Sequence, residues 1–302
     1  MYPARFHYEA PSTVDEVLQL LAMYQGEAKV MSGGMSLIPL MKLRFASPSC
    51  VIDVNNIAGL DYMDESGGRL RIGALVRNRT LVRSEVLRAR YPLMSSLAPQ
   101  VADPLVRARG TLVGSLCHAD PQGDWGAAML AMGGEVVARS TAGERTIPVR
   151  DLLLGPFQTS LRPDEFAVEA RVPGPSGEPF GMYYKLERKV GDFATVGVAV
   201  FLDRNGGSIT KAGIALTGVG STNIKCVDAE QALLSGGLTD AGIDAAARLA
   251  AEAAKPQTDQ RGSAEYKRHL VRTFVVRALQ TATGREPIDI RQRRFERVAS
   301  LV

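Results

Sequence analysis

The chain has 302 residues, of which 45% are hydrophobic and 23% charged, and its formal net charge is +4. This length favours about two domains, and the positive excess is too small for a nucleic-acid binder unless it is concentrated on one face. No apolar run approaches the roughly 20 residues of a membrane-spanning helix, and the first residues lack the apolar segment of a signal peptide. We therefore expect a cytoplasmic protein.

Cysteine and histidine are too dispersed to form a recognisable site. The three cysteines are Cys50, Cys117 and Cys226, and there are three histidines. Their spacing fits neither a disulfide framework nor a zinc or iron–sulfur ligand set. The pattern indicates a reducing compartment and no metal site, and it excludes an iron–sulfur cluster held by this chain alone.

Regular secondary structure is predicted along most of the N-terminal half. A capping box from Thr13 to Glu16 begins the first helix, an apolar face at helical spacing follows, and Gly26 ends the helix. Further periodic segments alternate between strand and helix. These are strands at 51–54 and 70–75, helices at 80–90, 93–98 and 124–131, and a hairpin of strands 135–139 and 145–149.

A pair of glycines, Gly33-Gly34, follows a short apolar strand and precedes a helix-like stretch that contains Pro39. Glycine has no Cβ and lets the backbone approach a ligand closely, and free N–H groups at the start of a helix favour an anion. Pro39 fits the first turn of that helix, where its missing N–H costs nothing. The pattern predicts a phosphate cradle at Ser32–Ser36, although a plain strand–turn–helix has the same appearance.

A second glycine-containing segment, Arg107–Pro121, also has β-like residues before its glycine, Gly114. Two such turns in one domain can hold a pyrophosphate from both sides, with the hydroxyls of Ser36, Thr111 and Ser115 as additional donors. The glycine fingerprint of the Rossmann fold and the Walker pattern are both absent from the sequence. Another fold would therefore hold the dinucleotide.

The composition changes at Pro173–Pro179, which carries three prolines and two glycines and is typical of a linker. We place a first domain at 1–174, a linker at 175–179, a C-terminal domain at 180–284 and a basic tail at 285–302. An Asn205-Gly206 hairpin signal and strands followed by helices predict an α+β C-terminal domain. Its strands are 182–188, 194–202 and 209–217, and its helices are 228–234, 241–254 and 264–282.

Arginines cluster in two parts of the chain, between residues 77 and 90 and in the basic tail. Either a solvated face or a patch for a partner protein or an anionic cofactor explains such clusters. The clustered residues are Arg77, Arg79, Arg83, Arg88, Arg90, Arg291, Arg293, Arg294 and Arg297.

Two long motifs resemble those of the FAD-binding medium subunits of molybdenum hydroxylases, the group of carbon monoxide dehydrogenase and xanthine dehydrogenase. The family's first flavin motif starts A-G-G-x-S-L and ends M-K-L-R, and Ser32–Arg44 matches it nearly throughout. The second starts R-G-T and ends A-D-P, and Arg109–Pro121 matches it except that Val113 replaces the first of two paired glycines. Shorter matches continue to the end of the C-terminal domain, so the resemblance covers residues 1–283.

The resemblance implies an α+β protein: a two-lobed FAD-binding domain of the vanillyl-alcohol-oxidase type, with FAD extended between the lobes, and a smaller α+β C-terminal domain. The segment Val30–Leu37 would lie on one side of the diphosphate and Thr111–Ser115 on the other. No catalytic residue and no metal ligand is implied. The residues assigned to FAD are Val30, Met31, Ser32, Gly33, Gly34, Met35, Ser36, Leu37, Thr111, Val113, Gly114, Ser115, Asp120, Asp124 and Lys185.

Three side chains have competing interpretations. Asp124 falls where the family places a carboxylate against the flavin, and its position also fits a helix N-cap. Lys185 falls where a lysine approaches the isoalloxazine, whose anionic reduced form a cation would stabilise; a solvent-facing strand lysine is the alternative. Trp125 is more typical of a core or a subunit interface than of a flavin stack.

The departure at Val113 leads to two expectations about mutants. A β-branched residue is awkward where the family glycine needs a positive φ or a close approach to phosphate. We therefore expect Val113→Gly to be tolerated or to tighten FAD binding, and Gly33→Val to abolish FAD retention.

The family role is electron transfer. A large molybdopterin subunit oxidises the substrate, two 2Fe–2S clusters in a small subunit carry the electrons, and FAD passes them to an external acceptor: NAD, oxygen, a quinone or a cytochrome. The resemblance implies both partner subunits in a dimer of heterotrimers, with the molybdopterin and the clusters only in the partners; the few cysteines here fit that division. Alternatives are a stand-alone flavin-dependent oxidase or reductase and a non-redox nucleotide-binding module.

Overall fold

A computed structural model describes residues 2–285 of the chain. The arginine cluster of the basic tail lies outside these residues. Within them, no helix combines the length and the apolar character that crossing a membrane requires. The same residues contain no grouping of His, Cys, Asp and Glu side chains that could hold a metal ion.

The first lobe is a small parallel sheet with a helix packed beside it. Its strands lie in the order β1-β3-β2. The predicted capping box is confirmed, because the Thr13 side chain accepts from the Glu16 N–H and Val17 and Leu21 are buried. The elements are β1 (His7–Glu9), α1 (Val14–Tyr24), β2 (Ala28–Met31), α2 (Leu37–Leu43) and β3 (Cys50–Asp53).

The second lobe is an antiparallel sheet in the order β4-β5-β10-β6-β7, with short helices over it. Its central strand is buried almost throughout. The elements are β4 (Met63–Ser66), β5 (Arg69–Gly73), α3 (Asn78–Arg83), α4 (Glu85–Arg90), α5 (Pro92–Leu97), α6 (Pro104–Arg109), α7 (Leu112–His118), α8 (Asp124–Met132), β6 (Glu135–Ser140), β7 (Gly143–Pro148), α9 (Val149–Leu152), β8 (Leu153–Gly155), β9 (Gln158–Thr159) and β10 (Phe166–Pro173).

Two predictions in this lobe are wrong. The single helix expected at 80–90 is divided into α3 and α4, because Ser84 adopts an extended backbone and its side chain caps the Leu87 N–H. The β-like residues expected before Gly114, Leu112 and Val113, are helical instead and belong to α7. Gly114 itself lies in the first turn of α7, which begins at the cap residue Thr111.

The C-terminal region is an antiparallel sheet, β11-β12-β13-β14, backed by three helices. The three predicted strands, the three predicted helices and the hairpin at Asn205-Gly206 are confirmed. The elements are β11 (Glu178–Leu186), β12 (Val196–Asn205), β13 (Ser208–Thr217), β14 (Ile224–Lys225), α10 (Val227–Gly236), α11 (Asp240–Ala253) and α12 (Ala264–Ala282).

Strand β12 joins two hydrophobic cores because alternate side chains point to opposite faces of a sheet. Val198 and Val200 pack in the core with the C-terminal helices, whereas Ala199 and Phe201 pack in the core of the two N-terminal lobes. Glycine permits the second contact: a Cβ at Gly213 would overlap the α8 backbone. The sheet therefore lies directly on α5 and α8, and its β11 strand borders the site described below.

Candidate flavin site

The two glycine segments meet in space, as the sequence predicts. Ser32 Oγ lies 3.2 Å from Thr111 Oγ1. A Cβ at Gly33 would overlap the backbone of Arg109, and a Cβ at Gly114 would lie 2.7 Å from Thr111 Oγ1 in its own segment and 3.2 Å from Ser32 Oγ in the other. These glycines are therefore required at least in part by contact between the two segments.

The first segment presents free backbone donors. Gly34 has a φ of +71°, and α2 begins three residues later. Within residues 2–285, the N–H groups of Gly33, Gly34, Met35 and Ser36 donate to no protein acceptor. Successive free N–H groups around a left-handed residue form a concavity that suits an anion. The segment therefore fits a diphosphate group.

The second segment is a helix start, and this explains Val113. The residue lies in the first turn of α7, has no positive φ, and is only 3% exposed in the main hydrophobic core. One of the two conditions under which valine would be awkward, a positive φ, is therefore absent at this position. Thr111 accepts from the Gly114 N–H at 3.0 Å, which orients its hydroxyl beside Ser32.

Two polar residues outside both flavin motifs connect the segments: Arg77, which belongs to the first arginine cluster, and Asn55, which was not singled out from the sequence. Asn55 Nδ2 donates to Ser32 O at 2.7 Å, and Arg77 Nη1 donates to Arg109 O at 2.6 Å. Arg77 Nη2 also donates to Asn55 Oδ1. Asn55 follows β3, the parallel neighbour of β2, and the carboxyl ends of parallel strands meet at one edge of a sheet. The position of Asn55 just after a parallel strand is the sequence feature from which its place at the site could have been predicted.

A buried charged cluster lies where the second lobe meets β11. Asp124 is the first residue of α8, and its carboxylate accepts from Tyr183 Oη at 2.6 Å and from Lys185 Nζ at 3.1 Å. Gly123, not Asp124, is the N-cap, so the capping alternative is wrong. The solvent-facing alternative for Lys185 is also wrong, because its side chain is 1% exposed.

Three oxygens lie close to the Lys185 ammonium. Besides Asp124, Gln100 O lies at 2.9 Å and Glu187 Oε2 at 3.4 Å. An ammonium group has three donors, and hydrogen bonds within residues 2–285 use two of them, to Gln100 O and Asp124; Glu187 Oε2 is an ion-pair partner that forms no hydrogen bond. The cluster combines one cation with two carboxylates and carries a net negative charge when all three are ionised.

Burial controls protonation in this cluster. It raises the pKa of Asp124, and the Lys185 charge and the Tyr183 hydrogen bond oppose that effect without cancelling it. Burial and the Asp124 charge raise the pKa of Tyr183 well above its usual value. The phenol therefore stays protonated and keeps donating to Asp124.

Comparison with known protein families decides which group the chain belongs to. The family described as "FAD binding domain in molybdopterin dehydrogenase" matches residues 4–175, and "CO dehydrogenase flavoprotein C-terminal domain" matches residues 181–282. The chain belongs to the FAD-binding medium subunits of the molybdenum hydroxylases. Both the two-lobed FAD-binding domain and the α+β C-terminal domain are thereby confirmed.

Individual relatives resemble this medium subunit along nearly its whole length. It is 39% identical to the carbon monoxide dehydrogenase medium chain of Hydrogenophaga pseudoflava, over 94% of this chain and 99% of that one. The 6-hydroxypseudooxynicotine dehydrogenase complex subunit alpha of Paenarthrobacter nicotinovorans is 37% identical, over 94% and 97%. Two solved structures are also similar. Carbon monoxide dehydrogenase from H. pseudoflava has a TM-score of 0.90 and 40% identity, over 94% of this chain and 99% of that one. Quinoline 2-oxidoreductase from Pseudomonas putida 86 has a TM-score of 0.86 and 31% identity, over 93% of this chain and 98% of that one.

The remaining predicted site residues of the medium subunit lie around the two segments. Val30 and Met31 end β2, and Leu37 begins α2. Asp120 Oδ1 accepts from the Gln122 N–H at 2.9 Å in the turn that leads to Asp124. The core interpretation of Trp125 is confirmed, since it is fully buried and donates to Asn78 Oδ1 at 3.0 Å.

Proposed function

We propose that this medium subunit binds FAD with the diphosphate between Ser32–Ser36 and Thr111–Ser115. Two observations carry the proposal: the two segments meet at Ser32 and Thr111, and four backbone N–H groups of the first segment, those of residues 33–36, have no acceptor in residues 2–285. Such a cradle supplies donors aimed at anionic oxygens without burying a charged side chain. The hydroxyls of Ser36, Thr111 and Ser115 lie on the same segments and add donors.

At the flavin end, we assign Asp124 and Lys185 to the isoalloxazine edge, as the family resemblance implies. A bound flavin accepts electrons and passes them on, and this chain's residues bind it, orient it and set its electrostatic surroundings. The Lys185 charge there is offset by Asp124 and Glu187, which together outweigh it when both are ionised. This arrangement supports a moderate field rather than a strong preference for the anionic reduced flavin.

We further propose that electrons enter from 2Fe–2S clusters of a small partner subunit and leave to an external acceptor. The large partner would hold the molybdopterin and define the substrate, and the assembly would be a cytoplasmic dimer of heterotrimers. Relatives with similar identity carry names with different substrates, such as carbon monoxide and 6-hydroxypseudooxynicotine. That variety supports placing substrate choice outside the medium subunit.

Reconstitution of the purified full chain with FAD tests the proposal. We expect a yellow protein with one FAD per chain, together with molybdenum and iron when the chain is isolated from its native source. A bound flavin without either metal would favour the stand-alone oxidase or reductase. An FAD content near zero after reconstitution would overturn the proposal, and nucleotide binding without flavin would favour the regulatory module.

A further inference from the structure

We propose that Arg77 and Asn55 are positioning residues that hold the two halves of the diphosphate site at a fixed separation. We call this pair the loop brace. The inference rests on the proposed function, because the segments it connects are those assigned to the diphosphate. It adds two residues that neither flavin motif contains.

The brace is a continuous chain of hydrogen bonds from one segment to the other. Ser32 O accepts from Asn55 Nδ2 at 2.7 Å, Asn55 Oδ1 accepts from Arg77 Nη2, and Arg109 O accepts from Arg77 Nη1 at 2.6 Å. Both ends of this chain are backbone carbonyls. The brace therefore fixes main-chain positions on either side of the cradle rather than side-chain rotamers.

Each brace residue is itself anchored to regular structure. The Asn55 N–H donates to Asp53 Oδ1 at 3.0 Å, directly after β3. Arg77 is the cap residue before α3, and the next N–H, that of Asn78, donates to Gly110 O at 2.9 Å. Because both residues are tied to elements of different lobes, the brace transmits the position of one lobe to the other.

The charges around the brace also suit an anion. Arg77 is partly buried, and burial together with the positive charges of Arg109 and Arg79 lowers the pKa of its guanidinium. Like charges held close together are stabilised when an anion binds nearby. A diphosphate would therefore strengthen the arrangement that the brace maintains.

Arginine is specifically suited to this role. Its planar guanidinium donates to two acceptors in different directions at a fixed angle, whereas a lysine ammonium is a compact charge on a flexible stem. Arg77→Lys thus keeps the positive charge and loses the two donors held at a fixed angle. Arg79, two residues further along, provides the matched control for charge alone: it is exposed and adds positive charge near Arg77, and its side chain forms no hydrogen bond or ion pair within residues 2–285.

Titration of the flavin-free full chain with FAD, followed by flavin fluorescence, tests the brace. Loss of a hydrogen bond to a charged group predicts about 10- to 100-fold weaker binding for Arg77→Ala and at least about fivefold for Arg77→Lys and Asn55→Ala. The double variant should bind no more weakly than Arg77→Ala, since both changes break one chain. Arg79→Ala should stay within about threefold of wild type. Added ethylguanidinium should partly restore Arg77→Ala.

Amide hydrogen exchange in the absence of FAD separates this inference from the proposed function. We expect Arg77→Ala and Asn55→Ala to speed exchange in both the 28–37 and the 107–116 peptides, while Arg79→Ala leaves both unchanged. Unchanged exchange in either peptide, or equal loss of FAD affinity in Arg77→Ala and Arg79→Ala, would overturn the brace. A wild-type chain that binds no FAD would instead overturn the proposed function, with the exchange result still deciding the brace.

Discussion

The two glycine segments resemble each other in sequence and differ in structure. Ser32–Ser36 is a loop with a left-handed residue at Gly34 and free N–H groups, whereas Thr111–Ser115 is a capped helix start whose second helical residue, Val113, is buried. In the first, glycine allows both an unusual φ and close contact between segments. In the second, glycine only makes room for two hydroxyls. Similar motifs thus place different demands on their residues.

The largest expected effect is that of Gly33→Val. A side chain at this position would overlap the Arg109–Gly110 backbone, so the two segments must separate. We expect FAD retention to be lost and the thermal midpoint of the flavin-free protein to fall as well, because the contact is between parts of the protein. The FAD-to-protein ratio and a melting curve check this. Full flavin occupancy in the variant would contradict the assigned diphosphate site.

Val113→Gly should reduce stability while leaving the cradle intact. Deleting a buried valine side chain and introducing a helical glycine together predict a loss of about 2–4 kcal/mol in the free energy of unfolding. FAD affinity measured well below the melting temperature should stay within about threefold, because the side chain packs in the core. Val113→Ala is the control and should lose about 1–2 kcal/mol, without the glycine contribution.

This expectation replaces the one drawn from sequence, in which Val113→Gly is tolerated or favourable. A result of unchanged stability with tighter FAD binding would restore the original interpretation. Either outcome decides whether the second segment needs glycine for the cofactor or valine for the fold.

Features that depend on neighbouring residues could be predicted from the sequence, whereas contacts between residues far apart in the chain could not. The capping box at Thr13 and the turn at Asn205-Gly206 are local, and both are confirmed. The break at Ser84 was missed because serine fits both a helix interior and a cap. Tyr183 donates to a carboxylate 59 positions earlier in the chain, and only strand pairing reveals that contact.

The buried cluster around Asp124 predicts that the stability of the protein depends on pH, with an effect of intermediate size. Because burial raises the pKa of Asp124 in the folded chain, its folded state binds the proton more readily. The contribution of Asp124 to the stability of the fold is therefore greatest at low pH and is lost as pH rises through the raised pKa. We expect the stability of Asp124→Asn relative to wild type to increase across that range, as measured by denaturant unfolding of the flavin-free chains.

Asp203 provides a control of opposite sign. Burial acts to raise its pKa, but hydrogen bonds from Ser176 and Gly177 outweigh burial and lower it. The contribution of Asp203 to the stability of the fold is present at pH values above the ordinary aspartate pKa and is lost as pH falls through the lowered pKa. Asp203→Asn should therefore become less stable relative to wild type as pH rises. Parallel slopes for the two variants would show that the Asp124 cluster does not behave as a buried carboxylate.

The smallest effect is expected for Ser36→Ala, and it tests the nature of the first segment. The Ser36 side chain forms no capping hydrogen bond, and the donors of the cradle are backbone N–H groups. If those groups bind the diphosphate, removal of this hydroxyl costs at most one neutral hydrogen bond, which corresponds to roughly a two- to tenfold loss of FAD affinity. Titration of the flavin-free variant with FAD measures it, and Ser12→Ala, in the turn before α1, is the matched surface control. A loss as large as that of Gly33→Val would mean that the hydroxyl, and not the backbone, forms the anion site.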